Sequence, residues 1–198
     1  MIKAVIFDAD GVLINGGMFS EYLAREHNLD IEKLTTFFTG SFRKALTGKA
    51  DLKKILNPHL KTWGWKESVD EFMKYWFITG HEVDQNLITY IEDLRKKGIK
   101  CYLATNQEKY RIAYMLDHMG FSKIFDKVYA SAHLGYRKPD MEFFAKVVED
   151  LPEFEENEIL FWDDTPENIK AANKFGIYAE LYTDFSDFKK KMQRYLKT

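Results

Sequence analysis

The sequence predicts an α/β fold, a doubly wound parallel sheet with an inserted all-α cap. Two observations carry this. First, short apolar runs rich in β-branched residues alternate with amphipathic helical patterns, which is the signature of strand–helix–strand units with right-handed crossovers. Second, one long stretch, Gly17–Val83, interrupts the alternation after the first run; it holds no convincing strand and its periodicity is helical. The division predicted is a core of residues 1–16 and 84–198 and a helical cap of residues 17–83.

The elements follow in order. Ile2–Phe7 is a nearly continuous apolar run that ends in the turn residues Asp8-Ala9-Asp10-Gly11, as a buried parallel strand does. Asp84–Lys97 is an amphipathic helix with Asp84 as N-cap, Leu87, Ile88, Ile91 and Leu94 as its stripe, and Gly98 as its stop. Ile99–Ala104 is a second strand, closed by Thr105-Asn106, and a helix over Lys109–His118 follows. Lys127–Ala130 is a short third strand, and Pro139–Asp150 a helix with proline at its start. Ile159–Trp162 is a fourth strand ending in Asp163-Asp164, and Thr165-Pro166 open the next helix as N-cap and N1. Ile177–Leu181 and Asp184–Leu196 complete the pattern as a fifth strand and a last helix.

Totals narrow the function classes. The chain has 198 residues, 45% of them apolar and 30% charged, enough for a buried core under a well-solvated surface. A net charge of −2 gives no reason to expect a nucleic-acid partner. No run is long and apolar enough to span a bilayer, and the N-terminus opens directly on a strand, with no secretory signal. The single cysteine, Cys101, excludes an internal disulfide and fits a reducing cytoplasm; its place in an apolar run marks it as a buried strand residue.

Chemistry collects at the strand ends. In open α/β sheets ligands bind at the carboxyl ends of the strands. Those ends carry Asp8 and Asp10, then Thr105 and Asn106, then Asp163 and Asp164, with Lys138 in a loop after the third strand. Carboxylates gathered at one rim repel each other unless a cation neutralises them, and hard oxygen ligands open to water select Mg²⁺. Beside such a cation a carboxylate is a poor high-pKa base but a competent nucleophile, so Asp8 is the candidate for an aspartyl-phosphate. Asp10, two residues on, suits a general acid and base. Lys138 would balance phosphate charge, and Thr105 Oγ with nearby N–H groups would bind phosphoryl oxygens, Asn106 beside it.

Phe7-Asp8-Ala9-Asp10-Gly11-Val12-Leu13 resembles the first motif of the haloacid dehalogenase superfamily. Thr105-Asn106, Lys138 within Gly-Tyr-Arg-Lys-Pro-Asp, and Phe161-Trp162-Asp163-Asp164 are similar to its second, third and fourth motifs, in order. Asp163–Asn168 is similar to the subgroup of sugar phosphatases and the phosphatase domain of soluble epoxide hydrolase. The resemblance spans the chain, since the insert lies where that family carries its helical cap. It implies a Rossmann-like core and a phosphatase acting on a small phosphorylated metabolite. It also implies Asp8 as nucleophile, Asp10 as acid and base, and Mg²⁺ on Asp8, the Asp10 backbone carbonyl and a fourth-motif aspartate. Ala9 departs from the commoner leucine, a matter of packing. A phosphomutase shares every core residue; a haloacid dehalogenase characteristically lacks an aspartate at position 10; a catalytically idle binding module would not need the set.

Within the fourth motif, Asp164 adjoins Thr165-Pro166 at the open rim and is the candidate metal ligand; Asp163 is expected to hold Lys138 or a metal-bound water. In the insert, seven basic residues stand against Asp51 alone between Gly40 and Lys66, and Arg43 and Lys49 are candidates to face a phosphorylated substrate. The insert's aromatic residues are no denser than the chain's 16% and are expected to form its core. The five histidines show no metal-ligand spacing.

Overall fold

The computed structural model describes residues 1–79 and 81–196. Strand β1 (Ala4–Phe7) leads through β2 (Ile14–Asn15) to five helices: α1 (Phe19–His27), α2 (Ile31–Thr39), α3 (Phe42–Leu46), α4 (Leu52–Thr62) and α5 (Val69–Ile78). The chain returns through β3 (Glu82–Val83) and continues as α6 (Gln85–Lys96), β4 (Lys100–Thr105), α7 (Lys109–Asp117), α8 (Phe121–Ile124) and β5 (Lys127–Ala130). Then come α9 (Ser131–Leu134), α10 (Met141–Glu149), β6 (Ile159–Asp163), α11 (Pro166–Phe175), β7 (Tyr178–Leu181) and α12 (Phe185–Leu196).

The main sheet is five-stranded and parallel, in the order β5-β4-β1-β6-β7. Both faces are covered, so its strands read as continuous apolar runs. Val5, Phe7, Cys101, Leu103, Leu160 and Trp162 point into one core with α6, α7 and α12. Their neighbours Ala4, Ile6, Tyr102, Ala104, Ile159 and Phe161 point into the other, with α10 and α11. The chain leaves β1 to build one side of the sheet and returns to build the other from β6. The crevice where strand order reverses therefore opens at the carboxyl ends of β1 and β6, which are paired in register, Phe7 opposite Trp162.

The insert's helices close on a third core, of Leu34, Phe37, Leu56, Phe72 and others. Their ends are sealed locally: Asp30 and Asp51 cap α2 and α4, and Ser68 with Glu71 forms a capping box at α5. Two features differ from the sequence-based expectation. The insert ends in a strand, because Glu82–Val83 pairs antiparallel with Ile14–Asn15, a two-residue pairing too short to leave a periodic signal. Pro139 lies outside α10, which starts at Met141 behind the N-cap Asp140, because Lys138 and Pro139 form a separate turn closed by the Asp140 amide on the Arg137 carbonyl at 2.8 Å.

Candidate active site

The site is built where β1 and β6 stop. The Asp8 amide donates to the Trp162 carbonyl at 2.8 Å, so the ladder runs one residue past β1 and fixes Asp8 at the floor of the crevice. The chain then folds tightly back: the Ala9 carbonyl accepts from Leu13 and Ile14 at 2.8 and 2.9 Å, and Gly11 sits at φ +80°. A Cβ on Gly11 would lie 2.0 Å from an oxygen of Asp164. Glycine is thus required twice there, for the left-handed backbone and for the approach of that carboxylate.

Asp163 ends β6 with no exposed surface. Its Oδ1 accepts from the Thr165 amide at 2.8 Å and from Asn168 Nδ2 at 2.9 Å; its Oδ2 accepts from Lys138 Nζ at 2.6 Å. Asp164, one residue later, is exposed and receives the Thr165 hydroxyl at 3.2 Å. Carboxylate oxygens of Asp8, Asp163 and Asp164 all lie within 4.8 Å of one another. Lys138 is buried between two of them, 2.7 Å from Asp8 Oδ1 and 2.6 Å from Asp163 Oδ2. Burial opposes its charge, but the two carboxylates outweigh it and hold the ammonium protonated. The Lys138 backbone is clamped in turn: Asn106 Nδ2 donates to its carbonyl at 2.9 Å and Asn106 Oδ1 accepts from its amide at 2.8 Å.

The cleft above this floor measures about 580 Å³ and is bordered by Asp8, Asp10, Thr105, Asn106, Arg43 and Asp164. Loss of bulk water raises the carboxyl pKa of both Asp8 and Asp10. At Asp8 this works against Lys138, with Asp163 adding to the rise; at Asp10 it works against Arg111 and Lys138. Lys138 and Asp163 lie under the floor and act on the cleft through Asp8. Lys49 is exposed and does not border the cleft. Asn106 reaches the cleft, but its amide is committed to Lys138.

Three cleft residues were not anticipated from the sequence. Gln107 Nε2 donates to Asp10 Oδ2. Arg111, 4% exposed on α7, donates from Nη1 to the Phe77 carbonyl at 2.6 Å at the end of α5, and its Nη2 is buried without a partner. His81 also borders the cleft, and burial, with Arg111 beside it, pushes its imidazole pKa down to about 4. Gln107 adjoins Thr105-Asn106 and could have been found there. Arg111 and His81 carry no local signal, because the insert's packing brings them in.

A model of the haloacid dehalogenase-like hydrolases matches residues 2–176 of the chain. Over nearly its full length the chain is similar to the phosphoglycolate phosphatase of Aquifex aeolicus, 25% identical over 94% of this chain and 91% of that one. It is also similar to the sesquiterpene phosphatase astK of Aspergillus oryzae, 31% identical over 51% of each chain; this chain spans about half or less of the length of its first fungal relatives. Among solved structures, it is similar to a HAD-family enzyme of Bacteroides thetaiotaomicron crystallised with magnesium and inorganic phosphate. That likeness has a TM-score of 0.79 and 23% identity over 95% of this chain and 99% of that one.

Proposed function

The chain belongs to the haloacid dehalogenase-like hydrolase family, and on that premise we propose that it is a magnesium-dependent phosphatase that hydrolyses a small phosphorylated metabolite through an aspartyl-phosphate on Asp8. The observation that carries this reading is the Asp8 carboxylate, fixed at the crevice floor by the ladder to β6, bonded to a buried lysine and flanked by two further aspartates. The similarity to phosphatases, and to an enzyme holding magnesium and phosphate, supports it. We divide the chain accordingly, with residues 17–83 as a cap over a core of residues 1–16 and 84–198.

The donor set fits the metal. Oxygen-only ligands in a cleft open to water suit Mg²⁺ and not zinc or copper. Both Asp163 oxygens are already engaged by Thr165, Asn168 and Lys138, whereas Asp8 and Asp164 keep free lone pairs toward the cleft. Asp8, Asp164 and the Asp10 backbone carbonyl would hold the ion, and Asp163 would aim Lys138. Bound there, Mg²⁺ would neutralise the clustered carboxylates and the phosphate charge.

The residues divide the work. An Asp8 oxygen attacks phosphorus; the bond from phosphorus to the alcohol oxygen breaks, and the Asp10 carboxyl gives that oxygen its proton. Asp10 then removes a proton from water, the water oxygen attacks phosphorus, and the bond to Asp8 breaks to release inorganic phosphate. Burial raises the Asp10 pKa, which favours the proton it must give in the first step, and Gln107 orients it. Lys138 offsets charge on Asp8, Thr105 donates to a phosphoryl oxygen, and Asn106 positions Lys138. Arg43, on the cap side of the cleft, draws the anionic substrate in; of Arg43 and Lys49 it alone borders the cleft. No helix among the described residues is long and apolar enough to cross a membrane, and Cys101 is a free, buried thiol, which accords with a cytoplasmic place of action. Hydrolysis of 4-nitrophenyl phosphate in the presence of Mg²⁺, abolished by excess chelator and restored by added Mg²⁺, is the expected outcome. Full activity in chelator would refute the proposal.

A further inference from the structure

The insert supplies an apolar wall over the carboxylate floor. Phe38 on α2, Phe42 on α3 and Trp76 on α5 meet pairwise with ring centroids 5.4, 5.2 and 5.4 Å apart, and Phe19 stacks on Trp76 at 5.2 Å. All four rings and Leu46 border the cleft. On their other side these rings pack against the insert's core. Phe37, Leu34, Leu56 and Phe72 already fill it at 0–1% exposure, while Phe38, Phe42, Leu46 and Trp76 remain half-buried, open on the cleft side. Met18, 67% exposed, continues the wall at the mouth. Polar side chains on this side are few: the Thr39 hydroxyl is spent on the Thr35 carbonyl at 2.7 Å, which leaves Ser20, Arg43 and His81.

Geometry orders the substrate across this space. If phosphorus sits at Asp8, its ester oxygen faces Asp10 and the alcohol carbon chain leaves the floor toward the insert. A cleft of about 580 Å³ has room for an alcohol well beyond a two-carbon fragment. Half-exposed rings beside it are wetted until an apolar group displaces the water. A hydroxyl-rich alcohol would need converging partners instead. Arg111 and His81 also border the cleft, but their unpartnered atoms, Arg111 Nη2 and His81 Nδ1, are themselves buried.

We infer that the alcohol half of the substrate is apolar: the ligand class is a phosphomonoester of an alkyl, branched-chain or aromatic alcohol, with its hydrocarbon seated on Phe38, Phe42 and Trp76. This rests on the phosphomonoester reading above, and the test separates the two. Isothermal titration with n-alkylphosphonates from ethyl to hexyl, in Mg²⁺, reads the wall without turnover. Each added methylene is expected to tighten Kd about two- to fourfold, by the usual worth of a buried CH₂. Propylphosphonate is expected to bind more tightly than 2,3-dihydroxypropylphosphonate. In Phe42→Ala and Trp76→Ala the length dependence flattens, and Phe42→Leu recovers part of it; the wild-type series decides alone if a variant does not fold. A flat wild-type series, no binding at any length, or tighter binding of the dihydroxy compound overturns the inference. Length-dependent phosphonate binding without hydrolysis of 4-nitrophenyl phosphate would keep the wall and refute the phosphatase instead.

Discussion

At the scale of single residues, the adjacent acids Asp163 and Asp164 are held in different surroundings. Asp163 ends a strand, has no exposed surface and has its oxygens engaged by Thr165, Asn168 and Lys138; Asp164 is past the strand, exposed and packed against Gly11. Asp164→Asn is expected to shift the Mg²⁺ titration of activity to at least about tenfold higher metal, the low end of what a ligand or its support is worth. Asp163→Asn should lower the rate through a misplaced Lys138 with a smaller shift in metal requirement; if Asp163→Asn needs far more metal and Asp164→Asn does not, the roles are exchanged. This division was legible in the sequence because it depends on local facts: one residue belongs to the strand and the next to the turn before Thr165-Pro166. The place of Asp8, Thr105 and Lys138 was legible for the same reason. Arg111 and His81 were not, since α7 and the end of the insert meet only through tertiary packing, and a lone Arg in a helical pattern or a lone His carries no register.

At the scale of elements, the strands and core helices followed from period and punctuation, while the insert's relation to the cleft did not. The basic stretch shows why. Composition placed Arg43 and Lys49 together, but α3 carries Arg43 beside Phe42 at the cleft, and the turn at Gly48, φ +70°, leaves Lys49 exposed away from it. Charge density says nothing about which face of a five-residue helix looks inward. The aromatic residues repeat the lesson: most do belong to the insert's core, but the partly buried Phe38, Phe42 and Trp76 also border the cleft. Arg43→Gln is expected to raise KM for a phosphorylated substrate about two- to fivefold, the range for an exposed charge pair, and to weaken the dependence of KM on salt. An unchanged KM with unchanged salt dependence would confine Arg43 to solvation of the helix surface.

At the scale of the whole molecule, the carboxylate cluster sets how stability varies with pH and metal. Burial pushes the Asp8 pKa up to about 7, and the pKa values of Asp10 and Asp164 rise for the same first reason. A folded-state pKa above the unfolded value means that the cation-free fold holds these protons more tightly than the unfolded chain. The contribution of Asp8 to stability is then fully present below about pH 4 and is lost as the pH rises through about 7, and those of Asp10 and Asp164 change in the same direction. Mg²⁺ binds the ionised form, so its stabilisation should grow over the same interval, reaching about 2.7 kcal/mol at a hundredfold excess over Kd. Thermal unfolding with and without Mg²⁺ at pH 5 and pH 8 measures this; the gain in Tm should be clearly larger at pH 8. Equal gains at both values would show that the cluster does not bind the ion.

The central claim is that the phosphoryl group passes through Asp8. It is tested most directly by mixing the enzyme with Mg²⁺ and an excess of a good phosphomonoester, quenching in acid within a single turnover, and mapping phosphorylation by mass spectrometry of the peptides. The account predicts one phosphoryl group on Asp8, absent in Asp8→Asn and longer-lived in Asp10→Asn, where water lacks its base. Turnover in which Asp8 never carries the group, or in which another residue carries it, would contradict the account.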